Sequence, residues 1–342
     1  MASNSATEKT EQPDKPKLSR LKQVEIFVLL PMLLAAFLGM VWGIAQAPAP
    51  AALAVPTTPV KELDDKAKGL IALGERLRVI HQTLKTPLPG DWLSVYEEPG
   101  QTFIQYLNGR PIVPDERRRI IYIQPVGKFE DADAEILKLA GEFLSIYFDL
   151  PAKFLEPEPL SEIPAEARRV NSDTRLEQLS SEWIIDRLLI PRTPDDAMFI
   201  IALTKSDLWP GREGWNFVFG QASLQNRAGV WSIHRMGDPN ESPKAFRKCL
   251  RQALKTASHE SGHMFGIKHC IAYECNMNGC NSLYEAERHP LWMCPECHAK
   301  IAWAIGFDPV ERFRKLGEFC ARHGLELEQD FYETACQVPP EP

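Results

Sequence analysis

The chain carries no surplus of basic residues. Its 39 Lys and Arg stand against 46 Asp and Glu, for a net charge of −7, and the basic residues are not gathered in one region. That removes the electrostatic footprint of nucleic-acid binding. There is no internal repeat, which sets aside repeat architectures. At 44% hydrophobic and 25% charged residues the composition is that of a globular protein. Its 342 residues suffice for one substantial domain with attachments.

Charge is also missing locally. From Ile26 to Ala45 twenty residues run without a charged side chain. As a helix rising about 1.5 Å per residue, this run would span roughly 30 Å, the thickness of a bilayer core. Pro31 within it is tolerated better by a membrane helix than by a soluble one. The expected organisation is therefore a polar tail over 1–24, a transmembrane helix over 25–46, a Pro/Ala linker over 47–60 and a globular domain over 61–342. Basic residues precede the run, and none follows before Lys61. The positive-inside rule then puts the N-terminus in the cytoplasm and the domain outside, anchored as a single-pass membrane protein. Ala45-Gln46-Ala47 offers the alternative of signal cleavage and secretion.

Within the domain, Leu70, Leu73, Leu77 and Ile80 recur at helical spacing. Ile120–Ile123 and Ala197–Leu203 read as buried strands, and Asp131–Phe148 as a helix. Further expectations are a helix over Leu176–Leu189 and strands over Trp215–Leu224 and Val230–His234. Ser242-Pro243 starts a helix, as N-cap and first-turn proline, that ends at Gly266. Helices over Glu296–Ile305 and Pro309–His323 follow. The class is α/β (α+β): a twisted mixed sheet with helices, and a smaller lobe after Gly266.

The chemistry concentrates in His259-Glu260-Ser261-Gly262-His263-Met264-Phe265-Gly266-Ile267-Lys268-His269. Residues four apart on a helix point the same way, so His259 and His263 can share one ion. Glu260 lies one step round, beside the ion, where it can act as general base on a water. Gly266 permits a positive φ, so the chain turns back and delivers His269 as third ligand. A fourth position stays open for water. Met277 is a candidate for an apolar floor beneath the ion.

A second cluster starts at the next residue. Cys270 and Cys275, with Cys294 and Cys297 of a CxxC, have the spacing of a closed four-cysteine zinc site. Its role would be structural. Two disulfides are the alternative, with Cys280 and His298 as rival ligands. Cys320 and Cys336 could pair as a disulfide outside the cell. Cys249 is expected to face the core, and His234, His289 and His323 to lie at the surface or around the site. No cysteine precedes Cys249, so no cysteine-based propeptide switch is evident.

The run HESGHMFGIKHCIAYECNM, sixteen residues before CPEC, resembles the signature of the archaemetzincins, a metzincin-clan family of zinc metallopeptidases. Segments Pro89–Leu107 and Trp215–Leu224 resemble its eukaryotic-type members. The resemblance covers roughly Pro89–Cys297. It implies a metzincin-like zincin fold and two Zn2+ per chain. One is catalytic, on His259, His263 and His269 with Glu260 as base. The other is structural, on Cys270, Cys275, Cys294 and Cys297. The expected function is hydrolysis of peptide bonds in a peptide or protein substrate, with strand Phe217–Ser223 pairing to the substrate backbone. The alternative is a zinc-bearing binding or adaptor module at the membrane without proteolytic activity. The sequence does not specify an oligomeric state.

Overall fold

The computed structural model describes residues 63–212 and 215–338. The tail, the apolar run and the linker expected over 1–60 lie outside these residues. Among the described residues no helix is long and apolar enough to cross a membrane.

The first helix, α1, covers Asp65–Leu77, with the Asp64 carboxylate accepting from the Ala67 N–H at 2.7 Å. Strand β1 (Ile120–Val126) leads into helix α2 (Asp131–Phe148), and β2 (Ala152–Phe154) returns beside β1. Strands β3 (Arg168–Val170) and β4 (Glu177–Ser180) precede β5 (Ala197–Thr204) and β6 (Asp207–Trp209). Strands β7 (Gly220–Ser223) and β8 (Ala228–Ser232) complete the sheets. The main sheet has the order β2-β1-β5-β8-β7, parallel except for β7, which runs antiparallel to β8. Strands β3, β4 and β6 form a second, small sheet.

Strand β5 is buried along its whole length. Phe199, Ile201 and Leu203 enter one core cluster, while Ile200 and Ala202 enter the other. This is why AMFIIAL shows no alternation: both faces of a central parallel strand are covered. On one side lie α2 and the long helix α3 (Pro243–Met264), with Leu139, Phe143, Leu250 and Leu254 inward. Ser242 caps α3 by accepting from the Ala245 N–H at 3.1 Å, and Pro243 occupies its first turn.

After a short helix over Leu283–Arg288 come α4 (Pro295–Ile305), α5 (Pro309–Arg322) and α6 (Glu326–Cys336). They do not form a lobe with its own core. Phe313, Leu316, Phe319 and Tyr332 belong to the same apolar cluster as α2 and α3.

Three other expectations are corrected. The helix expected over Leu176–Leu189 is a strand as far as Ser180, where Gln178–Ser180 pair with Asp207–Trp209. Only after Ser180 caps Trp183 does the chain coil, with π-helical bonding over Ile184–Leu189. The strand expected over Trp215–Leu224 is regular only at Gly220–Ser223, with one isolated bridge between Val218 and Leu208. The strand expected over Val230–His234 ends at Ser232, whose hydroxyl accepts from the His234 N–H at 3.0 Å and turns the chain.

Candidate active site

His259 and His263 project from the C-terminal half of α3 with their Nε2 atoms 3.0 Å apart. The helix ends because Gly266 adopts φ +83°, with its N–H on the His263 carbonyl at 2.8 Å. The chain then doubles back, and the His269 ring lies 5.3 and 5.0 Å from the other two ring centres.

Each imidazole is oriented by its other nitrogen. His259 Nδ1 meets the Asn276 carbonyl at 2.7 Å and His263 Nδ1 the Ile267 carbonyl at 2.7 Å. His269 Nδ1 meets the Glu98 carboxylate at 2.8 and 3.0 Å. A carbonyl or carboxylate oxygen only accepts, so each Nδ1 is the donor and each Nε2 presents a lone pair. One ligand atom from each ring lies within 4.8 Å of the others. Two bare lone pairs 3.0 Å apart repel unless a cation lies between them. Zinc–nitrogen bonds of about 2.0–2.1 Å would place tetrahedral neighbours about 3.4 Å apart. The donor set therefore fits a zinc ion. Burial, then the neighbouring imidazoles, push His259 down to about 3 and His263 well below its ordinary value. Both are neutral at pH 7, as ligation requires.

Glu260 is buried beside this cluster, and burial pushes its carboxyl up to about 8. A divalent cation alongside would pull it back toward the charged form. The first residue of β7, Gly220, packs against it. A Cβ at position 220 would stand 2.6 Å from Glu260 Oε1 and 2.7 Å from its Cγ. The glycine thus lets the strand touch the carboxylate. Gly220→Ala is expected to displace that carboxylate and lower kcat/KM for a peptide by about 100-fold, with zinc content unchanged. Steady-state kinetics beside metal analysis checks this. Met277 packs against α3 at Gly262, next to His263 in the chain: its Sδ is 2.6 Å from where a Cβ on Gly262 would be.

Glu98 was missed in the sequence. It accepts from Trp92 Nε1 at 2.8 Å as well as from His269, and these hydrogen bonds hold its carboxyl below its ordinary value against the effect of burial. Its only trace is membership of the resembling segment Pro89–Leu107. Glu98→Gln is expected to weaken zinc binding at the three imidazoles about 10–100-fold, the usual effect of losing a ligand's orienting partner. Competition against a chromophoric chelator measures it.

The second cluster is closed. Cys270, Cys275, Cys294 and Cys297 are all buried and their sulfurs lie within 4.8 Å of one another. Cys270 Sγ is 3.7 Å from Cys294 Sγ, and tetrahedral zinc–sulfur bonds of about 2.3 Å would set about 3.8 Å. Cys275 Sγ accepts backbone N–H groups from Met277 at 3.4 Å and Cys294 at 3.2 Å. Four such sulfurs fit a second zinc, and the cysteines stand as free thiols rather than the alternative disulfides.

Both clusters sit within a sequence similar to known proteins. Archaemetzincin-2 of Pongo abelii is 35% identical over 260 residues, covering 67% of this chain and 71% of that protein. Archaemetzincin-2 of Homo sapiens is 34% identical over the same shares. The chain belongs to the archaemetzincin family. The model for peptidase family M54 matches residues 176–302, which enclose every residue of both clusters. The crystal structure of archaemetzincin from Methanopyrus kandleri is 26% identical, covers 56% of this chain and 98% of that chain, and superposes with a TM-score of 0.45. As an archaemetzincin, this chain is a zinc-dependent metallopeptidase, and its substrates are peptides or proteins.

A cleft of ≈790 Å³ opens over the three imidazoles of this archaemetzincin, lined by Trp92, Tyr96, Trp215, Phe219 and Glu260 among others. Tyr96 and Trp215 stack with ring centres 5.9 Å apart, and Trp92 meets His269 edge-on at 5.1 Å. Strand β7 lines the cleft as an edge of the main sheet, pairing with β8 alone in that sheet.

The rival ligands are not brought in. Cys280 lines the cleft but belongs to neither cluster. His298 is buried against Phe307 and Phe313. Cys320 and Cys336 do not pair: both are free thiols, Cys320 buried and Cys336 partly exposed. Cys249 faces the core as expected.

Proposed function

We propose that this archaemetzincin hydrolyses peptide bonds with Glu260 as general base beside a zinc ion on His259, His263 and His269. The observation that carries this reading is the set of three lone pairs, each fixed by a hydrogen bond at the opposite ring nitrogen, next to a buried carboxylate on a cleft floor. Zinc, when bound there, supplies a Lewis acid that acidifies water and polarises a carbonyl. Glu260 then takes the proton of the attacking water and returns it to the leaving amine.

The substrate backbone adds alongside β7, the edge strand that also presses Gly220 against Glu260. Trp92, Tyr96 and Trp215 form an apolar wall that excludes water from the reacting bond. Cys270, Cys275, Cys294 and Cys297 hold a second, structural zinc, which ties the loop carrying His269 to the start of α4. Metal analysis tests the whole arrangement. Two zinc per chain are expected, falling to one in His263→Ala. One zinc in the wild type that persists in His263→Ala, beside undiminished peptide cleavage, would overturn it.

A further inference from the structure

Lys255 stands one helical turn before His259 on α3 and lines the same cleft. It is only 6% exposed, an unusual place for an ammonium group. The group donates to the Ala286 carbonyl. An ammonium has three donors, and among the described residues no carboxylate lies within ion-pair distance of this one.

The acidic groups around it are already committed. Glu328 accepts from Arg251 Nε and Nη2 at 2.8 and 3.0 Å, and Glu287 pairs with Lys248 at 2.8 Å. Glu285 accepts the backbone N–H groups of Trp92 at 2.8 Å and Asn281 at 2.7 Å. Burial pushes the Cys280 thiol up to about 12, so it supplies no anion at neutral pH. Arg251 adds charge of the same sign, and Lys255, pushed down to about 8 by burial, still holds its proton at pH 7. A buried charge without a counter-ion is costly unless something supplies one. It lines the cleft beside Ala286, its carbonyl partner.

We propose that Lys255 is a specificity-determining residue that binds a carboxylate of the peptide substrate. The site is the part of the cleft lined by Lys255 of α3 together with Cys280, Asn281 and Ala286. The proposal rests on the peptidase reading of the cleft. The carboxylate comes from an Asp or Glu side chain or from the C-terminus of a short peptide. A lysine that merely ties α3 to Ala286 would not discriminate between substrates.

The test uses the full chain loaded with zinc and matched peptide pairs. One set carries Glu or Gln at each position around the cleaved bond, and a second carries a free or amidated C-terminus. The wild type is expected to favour the carboxylate member by about 10–100-fold in kcat/KM, the range for a hydrogen bond to a charged group. The set that shows the preference identifies the source. The ratio falls to near one in Lys255→Met and survives in Lys255→Arg. The same pairs are bound, without turnover, to Glu260→Gln and followed by fluorescence anisotropy. There the Kd ratio shows the same preference, abolished by adding Lys255→Met. A binding preference in a chain that cleaves nothing would support the carboxylate site and remove the peptidase reading. Ratios near one in the wild type, or a preference undiminished in Lys255→Met, overturn the proposal whether or not the variant folds well.

Discussion

Glu260→Gln is expected to lower kcat for peptide hydrolysis by about 10²–10⁴-fold while the protein keeps its zinc. The amide has the carboxylate's shape but cannot take a proton from water. The three imidazoles keep their orienting partners, Asn276, Ile267 and Glu98, so metal affinity has no reason to fall. Nor does the fold. In the metal-free protein the Glu260 carboxyl is raised from 4.5 to about 8. Its contribution to stability is full below pH 4.5 and is lost as pH rises toward 8, because burial disfavours the charged form. A neutral amide is exempt from that loss. The metal-free variant should therefore melt no lower than the metal-free wild type at pH 7. Single-turnover kinetics at matched zinc content, with calorimetry, checks both halves. A drop in kcat accompanied by lost zinc would instead make Glu260 a group that supports the ligands.

The second large effect is expected at the other cluster. Cys294→Ser removes a buried sulfur 3.7 Å from Cys270 that also accepts the Cys297 N–H at the start of α4. Structural zinc sites contribute an apparent ~10–16 kcal/mol in zinc-finger peptides, so one lost ligand is severe. The consequence should reach the first metal. His269 and Cys270 are consecutive, and the Cys270 backbone is pinned by the Met277 carbonyl at 2.7 Å and the Asn278 amide at 2.7 Å. Loosening Cys270 therefore frees His269. The expected result is a lower melting temperature, one zinc fewer per chain, and weaker zinc binding at the three imidazoles. Full turnover with unchanged catalytic zinc affinity in Cys294→Ser would show that the two sites are independent.

Much of the site was legible because it is local. His259, Glu260, His263, Gly266 and His269 span eleven residues, so helix geometry and one positive φ suffice to assemble them. The four cysteines follow from zinc-ligand spacing. Helix α3 was legible because Ser242 stands as N-cap before Pro243, and the structure shows the same arrangement at Cys294 before α4 and Asp308 before α5. Glu98 was not legible. It reaches His269 from 171 residues away, and no local pattern marks that distance. The uncompensated charge of Lys255 was equally hidden, since it depends on which carboxylates other cations have taken. Strand β7 was overestimated because aromatic residues at 215–219 suggest a strand, yet they serve the cleft. Phe217 lies under the Arg235 guanidinium at 3.8 Å, and Phe219 lines the cleft. The start of the segment over 176–189 was misjudged because its apolar residues at helical spacing do not reveal that Gln178–Ser180 are claimed by β6.

The most direct test of the account is cleavage of a peptide library by the full chain, with new termini read by mass spectrometry. The account predicts defined new termini from the zinc-loaded wild type, their loss on chelation, their return with added zinc, and their absence in Glu260→Ala at equal zinc content. Cleavage that persists in Glu260→Ala, or no cleavage by a chain that holds zinc on His259, His263 and His269, would contradict it.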